Sequence, residues 1–128
     1  MDKISVLVVD DEVLIAMALS DHLEEMGLSV CGTAATAKRA IELTDTHRPS
    51  LILMDVRLKG VEDGVYAAQE IYQRHGTPII FITGSREQAT IDRIHQDHPS
   101  GILIKPILPL HLRAEIGRIL GQGAFHDK

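Results

Sequence analysis

The segment Val6-Leu7-Val8-Val9-Asp10-Asp11 decides how this chain folds, because it joins a short apolar run directly to two carboxylates. The same arrangement recurs three times, with an apolar run ending at one polar residue: Leu51-Ile52-Leu53-Met54 at Asp55, Ile79-Ile80-Phe81-Ile82 at Thr83, and Ile102-Leu103-Ile104 at Lys105. Short runs rich in Val and Ile between helical stretches are typical of buried parallel strands. We therefore expect these polar residues to meet at the carboxyl edge of a sheet, where α/β proteins bind ligands.

Helical stretches lie between the runs. Residues 12–26 are predicted to form a helix, since apolar residues recur there at three- and four-residue spacing, and residues 29–34 form a further strand. Thr36 is expected to cap a helix that ends near residue 47, and later helices are predicted over 65–75, 86–96 and 110–120. The last helix is expected to place four residues in the core: Leu110, Leu112, Ile116 and Ile119. Part of this helix and the preceding residues 107–109 could instead form a partner surface. Five strand–helix units predict an α/β fold of the (βα)5 type, a doubly wound parallel five-stranded sheet with helices on both faces.

The composition fits one domain. The 128 residues are 45% hydrophobic, and we expect residues 1–121 to fold as that domain and residues 122–128 to form a flexible C-terminal tail. A net charge of -5 argues against nucleic acid or an anionic membrane as a direct partner. Cys31, as the single cysteine, excludes an internal disulfide and is expected to be a buried packing residue. Since no apolar run approaches the ~18 residues of a membrane span, we expect a cytoplasmic protein.

Like charges brought together at the sheet edge need compensation. Asp10, Asp11 and Asp55 would repel one another and raise one another's pKa values unless a cation lay among them. With oxygen ligands and no His or Cys near these strand ends, the expected ion is Mg²⁺, with Mn²⁺ as the alternative. Lys105 would add a second positive charge. A metal ion, an ammonium and a hydroxyl around a carboxylate match the needs of phosphoryl transfer to that carboxylate.

Four motifs carry a family resemblance: Val-Val-Asp-Asp-Glu at 8–12, Leu-Met-Asp-Val-Arg-Leu at 53–58, Phe-Ile-Thr-Gly at 81–84, and Ile-Lys-Pro at 104–106. With these motifs, the sequence resembles a response-regulator receiver domain of two-component signalling from about residue 3 to residue 120. The resemblance implies a flavodoxin-like fold with strand order 2-1-3-4-5. It also implies a phosphoprotein that carries an aspartyl phosphate in phosphorelay signal transduction.

The resemblance assigns a role to each polar residue at the edge. Asp55 is the phosphoacceptor. The implied metal ligands are Asp11, Asp55 and the backbone carbonyl of Arg57, with Asp10 acting mainly through water. Thr83 would hydrogen-bond one phosphoryl oxygen and Lys105 would pair with another. The Lys105–Pro106 peptide bond is expected to be cis.

Three positions depart from the usual family pattern. Lys59 stands where many receivers have proline, which predicts a longer and more mobile loop after Asp55. Gly84 follows Thr83 where alanine is common, which would leave a wider approach to the phosphoryl group. Ile102 replaces the aromatic residue that swings inward in many receivers. Together these features resemble a subset of single-domain receivers with a Phe-Ala-Thr-Gly signature, whose switch would depend on backbone ordering near Gly84 and on the fourth helix.

The function implied is that of a phosphoacceptor, not of an enzyme beyond its own phosphotransfer and autodephosphorylation. The expected partners are a sensor histidine kinase or histidine phosphotransfer protein and a downstream protein target; acting as a phosphate sink or shuttle is the other expected output. The close alternative is a receiver fragment of a larger regulator or hybrid kinase.

Two alternatives come from other classes. A haloacid-dehalogenase-like phosphatase would require a second Asp two residues after Asp55, where this chain has Arg57. A flavin- or nucleotide-binding module would require a glycine-rich loop after the first strand, where Asp10 and Asp11 stand instead.

Overall fold

Strands and helices alternate along the whole described chain. The computed structural model describes residues 3–84, 88–96 and 99–125. The elements are β1 (Ser5–Val9), α1 (Val13–Glu25), β2 (Ser29–Ala34), α2 (Ala37–His47), β3 (Leu51–Asp55), α3 (Gly64–His75), β4 (Ile79–Thr83), α4 (Gln88–His95), β5 (Gly101–Ile104) and α5 (Pro109–Leu120). The start predicted for the fourth helix, residue 86, lies outside the described residues. No helix in the described ranges combines the length and apolarity needed to span a bilayer.

The five strands form one parallel sheet. Its order is β2-β1-β3-β4-β5, and each neighbouring pair is parallel. This confirms the predicted doubly wound, flavodoxin-like fold. The three central strands are buried on both faces, which explains why their sequences are continuous apolar runs and do not alternate with polar residues.

The chain marks several helix ends with specific residues. Thr36 caps α2 as predicted, its side-chain oxygen accepting the Arg39 backbone N–H at 3.1 Å. Asp63 caps α3 in the same way through the Tyr66 N–H at 3.0 Å. Gly76 ends α3 with a left-handed backbone at φ 66°, a conformation that glycine adopts without a steric penalty.

A separate apolar core covers each face of the sheet. One core joins α2, α3 and Ile94 of α4 to residues from β1, β3 and β4, and Cys31 is only partly buried at its margin. The other core joins α1 and α5 to the opposite face. Leu112 and Ile116 are buried there as predicted and Ile119 partly so, but the prediction for Leu110 was wrong. Leu110 is 76% exposed because it lies on the solvent side of the first turn of α5.

Part of the expected C-terminal tail packs against the domain. Gln122–Ala124 form a 3-10 turn, and Ala124 is buried in the α1/α5 core. The Arg113 guanidinium lies 4.1 Å from the centroid of the Phe125 ring, in a cation–π contact. Residues 126–128 of the tail lie outside the described residues, and the domain limit at residue 121 stays a prediction.

A polar cluster joins the C-terminal ends of α2 and α3. The Asp45 carboxylate is 2.7 Å from Arg74 Nη1 through one oxygen and 2.7 Å from His75 Nε2 through the other. The hydrogen bond from His75 is the main reason that the pKa of Asp45 lies below its usual value, and Arg74 lowers this pKa further. The cluster lies at the end of these helices remote from the sheet's carboxyl edge, so we assign it a structural role.

Replacing Asp45 with Asn should destabilise the fold in a pH-dependent way. Because the folded pKa of Asp45 is lowered, its contribution is present above the unfolded value of about 3.9 and is lost as pH falls through the folded value. Urea unfolding at pH 7 and at pH 3 should show a larger difference between parent and Asp45→Asn at pH 7. Asp21→Asn, which removes an exposed carboxylate of α1, is the control and should show a smaller difference. An Asp45→Asn deficit that is equal at both pH values would contradict the assignment.

Candidate functional site

The sheet register brings the predicted polar residues to one edge. Asp55 is the last residue of β3 and pairs with Ile82, and Thr83, the last residue of β4, pairs with Ile104. Asp10 directly follows β1, and Lys105 directly follows β5. The Lys105 backbone N–H donates to the Thr83 carbonyl at 2.9 Å, which continues the ladder one residue beyond the strand. The Lys105–Pro106 peptide bond that follows is cis.

Three carboxylates form an acidic pocket at this edge. Asp10, Asp11 and Asp55 each place a carboxylate oxygen within 4.8 Å of the others. Asp10 and Asp55 are buried, and Asp11 is half-buried. One oxygen of Asp10 accepts the Glu12 N–H at 2.8 Å, whereas the buried Oδ2 has no hydrogen-bond partner among the described residues. A buried carboxylate oxygen that makes no hydrogen bond, in an all-oxygen donor set, fits a hard divalent cation such as Mg²⁺.

Lys105 is the cation that faces these carboxylates. Its Nζ lies 3.0 Å from Asp55 Oδ2 and 3.7 Å from Asp10 Oδ2. Burial raises the pKa of Asp55 and the nearby Asp10 charge raises it further, while the Lys105 ammonium opposes both effects. Burial also disfavours the charged form of Lys105, but its hydrogen bond and attraction to Asp55 outweigh this and raise its pKa. The site therefore holds an ion pair within a cluster that keeps excess negative charge.

Backbone hydrogen bonds in the turn after Asp55 hold the Asp55 carboxylate and the backbone next to it. The Arg57 N–H donates to Asp55 Oδ1 at 3.3 Å, and the Gly64 N–H donates to the Val56 carbonyl at 2.8 Å. A Cβ atom on Gly64 would overlap the backbone carbonyl oxygen of Asp55. Sequence reasoning did not single out Gly64; the signal was the Asp63-Gly64 pair at the start of the third helix.

The loop that carries Lys59 is held by a neighbouring loop. The Lys59 N–H donates to the Ala35 carbonyl at 3.1 Å, and Lys59 forms a parallel bridge with Thr36. Proline at this position would have no N–H to donate. The substitution that led us to expect a more mobile loop therefore supplies a hydrogen bond that joins the β3–α3 loop to the β2–α2 loop.

A cleft of about 660 Å³ opens above Asp55. It is lined by Asp11, Glu12, Asp55, Val56, Arg57, Asp63, Thr83, Gly84, Thr90, Arg93 and Lys105. Among the described residues, which do not include 85–87, a Cβ atom on Gly84 would meet no atom within 4 Å. Arg93 of α4 pairs with Asp63, Nη1 to Oδ2 at 2.9 Å. Sequence reasoning missed this pair because its members are 30 residues apart and carry no local signal.

Ile102 lies away from the cleft lining. It is partly buried, packs against the α2/α3 core and pairs in register with the fully buried Phe81. The position where many receivers carry an aromatic residue is thus filled by an aliphatic side chain that belongs to the core.

Known proteins are similar to this chain in sequence and in fold. Residues 6–117 match the family model described as response regulator receiver domain. The transcriptional regulatory protein PdtaR of Mycobacterium tuberculosis is 35% identical over 79% of this chain and 49% of that protein. The phyllosphere-induced regulator PhyR of Methylorubrum extorquens is 32% identical over 90% of this chain and 43% of that protein. The chain thus spans just under half the length of these curated relatives.

Solved structures of receiver domains also superpose closely on this chain. The signal receiver domain of a modulated diguanylate cyclase from Desulfovibrio desulfuricans superposes with a TM-score of 0.87 at 34% identity, covering 93% of this chain and 94% of that one. The receiver domain of Erythrobacter litoralis PhyR gives 0.83 at 32% identity, covering 94% and 92%. These matches favour neither the phosphatase nor the flavin-binding alternative.

Gly64 and Gly84 provide a matched test of how tightly the site is built. Gly64→Ala should destabilise the domain by about 1–3 kcal/mol, because its Cβ would overlap the Asp55 carbonyl. Gly84→Ala should leave stability within about 0.5 kcal/mol of the parent, since the added methyl contacts no atom of the described residues within 4 Å. Urea unfolding of the three proteins measures both effects, and a Gly64→Ala variant as stable as the parent would contradict the close approach.

Proposed function

The chain belongs to the response regulator receiver domain family, and on this basis we propose that Asp55 accepts a phosphoryl group from a phosphohistidine. The observation that carries the proposal is the Asp55 carboxylate itself, buried at the base of the cleft with Lys105 Nζ at 3.0 Å. Asp10 and Asp11 lie beside it, and Thr83 lines the same cleft.

Each residue contributes a distinct part of the transfer. An Asp55 carboxylate oxygen attacks phosphorus, so that an O–P bond forms as the P–N bond of the phosphohistidine breaks and the imidazole leaves. Lys105, which holds the Asp55 carboxylate before transfer, pairs with a phosphoryl oxygen after it. The Thr83 hydroxyl donates to another phosphoryl oxygen. Hydrolysis of the acyl phosphate by water resets the domain.

The acidic pocket supplies the metal site of this proposal. Asp11, Asp55 and the Arg57 carbonyl would hold Mg²⁺ directly, with Asp10 acting through water. A bound Mg²⁺ would neutralise charge on the phosphoryl oxygens. Asp10 Oδ2 supports this assignment, because this buried oxygen makes no hydrogen bond among the described residues and has only the Lys105 ammonium, at 3.7 Å, as a positive neighbour.

Phosphorylation would act by shifting a two-state equilibrium in the domain. The output we propose is contact with a downstream protein or transfer of phosphate within a relay, in the cytoplasm. Catalysis by the chain is confined to its own phosphotransfer and autodephosphorylation.

An exposed apolar surface at the start of α1 suits the phosphodonor protein. Val13, Leu14 and Met17 are 68%, 80% and 57% exposed, and Met17 lies one helical turn after the adjacent Val13 and Leu14. Val13 follows Glu12, which lines the cleft, so a protein seated on this surface would lie beside the cleft. A phosphohistidine carried on a protein needs such a contact, whereas a small acyl phosphate does not. We assign these three residues, the α1 apolar surface, to the kinase or phosphotransfer partner.

Intact mass after incubation with acetyl phosphate and Mg²⁺ tests the phosphoacceptor. The parent should gain one phosphoryl group, whereas Asp55→Asn should gain none, because an amide is not a nucleophile for phosphorus. Chelation of divalent ions should also prevent the gain in the parent. Asp21→Asn is the control and should be modified like the parent. Modification of Asp55→Asn at the parental rate would overturn the assignment.

Leu14→Glu tests the α1 apolar surface. Transfer from a phosphorylated histidine kinase that modifies the parent should slow by about ten-fold or more, since a charge placed in an apolar contact is desolvated. Modification by acetyl phosphate should not change. Gln73→Glu adds the same charge at an exposed position of α3, on the other face of the sheet, and should leave both reactions unchanged. Equal slowing with both donors would contradict the assignment.

A further inference from the structure

Arg93 stands in the phosphoacceptor cleft without a role in the transfer described above. It lies on α4 and lines the same cleft as Asp55, Thr83 and Lys105. We propose that Arg93 is a further phosphoryl-binding residue, held by Asp63 until Asp55 is phosphorylated. The inference rests on the proposed function of Asp55 and adds a residue to it.

The geometry of the Arg93–Asp63 pair suits a partner that is later released. Two guanidinium nitrogens face the two carboxylate oxygens, Nη1 to Oδ2 at 2.9 Å and Nη2 to Oδ1 at 3.5 Å. The Arg93 side chain is 54% exposed and that of Asp63 is 32% exposed. Ion pairs in such contact with water are weakly held and exchange partners readily. The planar guanidinium keeps its two-pronged geometry for any anion with two oxygens, including a phosphoryl group.

Asp63 keeps a partner when Arg93 leaves. Its Oδ1 accepts the Tyr66 N–H at 3.0 Å as the N-cap of α3. Burial alone would raise the pKa of Asp63, but the Arg93 and Tyr66 hydrogen bonds outweigh it and lower this pKa. After Arg93 is released, the Asp63 carboxylate keeps the Tyr66 hydrogen bond at the N-terminus of α3, where the helix dipole favours negative charge.

Phosphorylation changes which anion attracts Arg93 more strongly. The Asp55 carboxylate carries one negative charge and already binds Lys105, whereas a phosphoryl group carries nearly two and presents three acceptor oxygens. This new charge would form in the cleft that Arg93 lines, which also contains four carboxylates: Asp11, Glu12, Asp55 and Asp63. An Arg93 drawn toward Asp55 would take α4 with it, since Ile94 is the buried residue of α4 within its described range.

Titration with beryllofluoride, which forms a phosphoryl mimic on an aspartate, tests the inference in the presence of Mg²⁺. Arg93→Gln should weaken binding by about five-fold or more, because a cation is lost from the phosphoryl site. Asp63→Asn should strengthen binding by a similar factor, because it removes the competing anion while Asn still caps α3. Fluorine-19 NMR of the bound fluoride measures each affinity directly. The opposite signs are the signature, since removing either member of a purely structural pair would act in one direction.

Two further variants keep the result decisive. Arg93→Lys keeps the charge without the planar fork, and its affinity should lie between those of the parent and Arg93→Gln. Asp55→Asn should bind no beryllofluoride; binding there would overturn the proposed function itself. If Asp55→Asn fails to bind but Arg93→Gln and Asp63→Asn shift affinity in the same direction, or not at all, the role of Arg93 alone is overturned.

Discussion

The rest of the site depends on one constraint: three carboxylates lie at a single sheet edge, two of them buried, and Lys105 must face them. Like charges this close destabilise the folded state unless a cation is fixed beside them. The fold meets this need by placing β5 next to β4, where the Thr83 carbonyl accepts the Lys105 N–H. Compensation is incomplete, since Asp10 Oδ2 keeps no hydrogen-bond donor among the described residues. The Lys105 ammonium lies 3.7 Å from that oxygen, an ion-pair distance too long for a hydrogen bond.

The apolar sheet makes this edge rigid enough to be useful. Strands β1, β3 and β4 are buried on both faces, so the polar residues that follow them have little freedom to shift along the chain. Behind Asp55, Gly64 packs directly on the backbone, and Lys59 joins two loops by a hydrogen bond. In front of it, α4 contributes Thr90 and Arg93 to the cleft but buries little of itself within its described range. A rigid sheet edge next to a weakly buried α4 suits a site at which a chemical change at Asp55 must alter the conformation of the domain.

The sequence patterns predicted the parallel sheet and the meeting of Asp10, Asp11, Asp55, Thr83 and Lys105, because both depend on local periodicity and on where a run ends. The strand order came only from the family resemblance. Predictions failed where tertiary contacts decide. Leu110 has the right spacing for the core, yet the first turn of α5 faces it to solvent. The Asp45–His75 and Asp63–Arg93 pairs each join residues 30 positions apart, and charged residues on helix surfaces carry no sign of their partners. The hydrogen bond from the Lys59 N–H to Ala35 was also missed, because a side-chain pattern does not show which backbone donors find partners; the mobility expected of this loop stays a prediction.

The departures from the usual receiver pattern point to α4 as the element that responds. Ile102 is an aliphatic core residue paired with Phe81, so strand five offers no aromatic ring to swing inward. A signal that leaves Asp55 must then pass through groups that touch the cleft and can change partner. Thr83 is the last residue of β4 and Lys105 directly follows β5, so the sheet holds the backbone of both residues. Arg93 belongs to α4, a helix with Ile94 as its buried residue in the described range. Arg93 is half exposed and held by an ion pair that is open to water, so we expect an added charge at Asp55 to attract it. Because Ile102 removes the aromatic switch, we expect the signal to depend more on electrostatic attraction of the Arg93 guanidinium, which is paired with Asp63 in this structure.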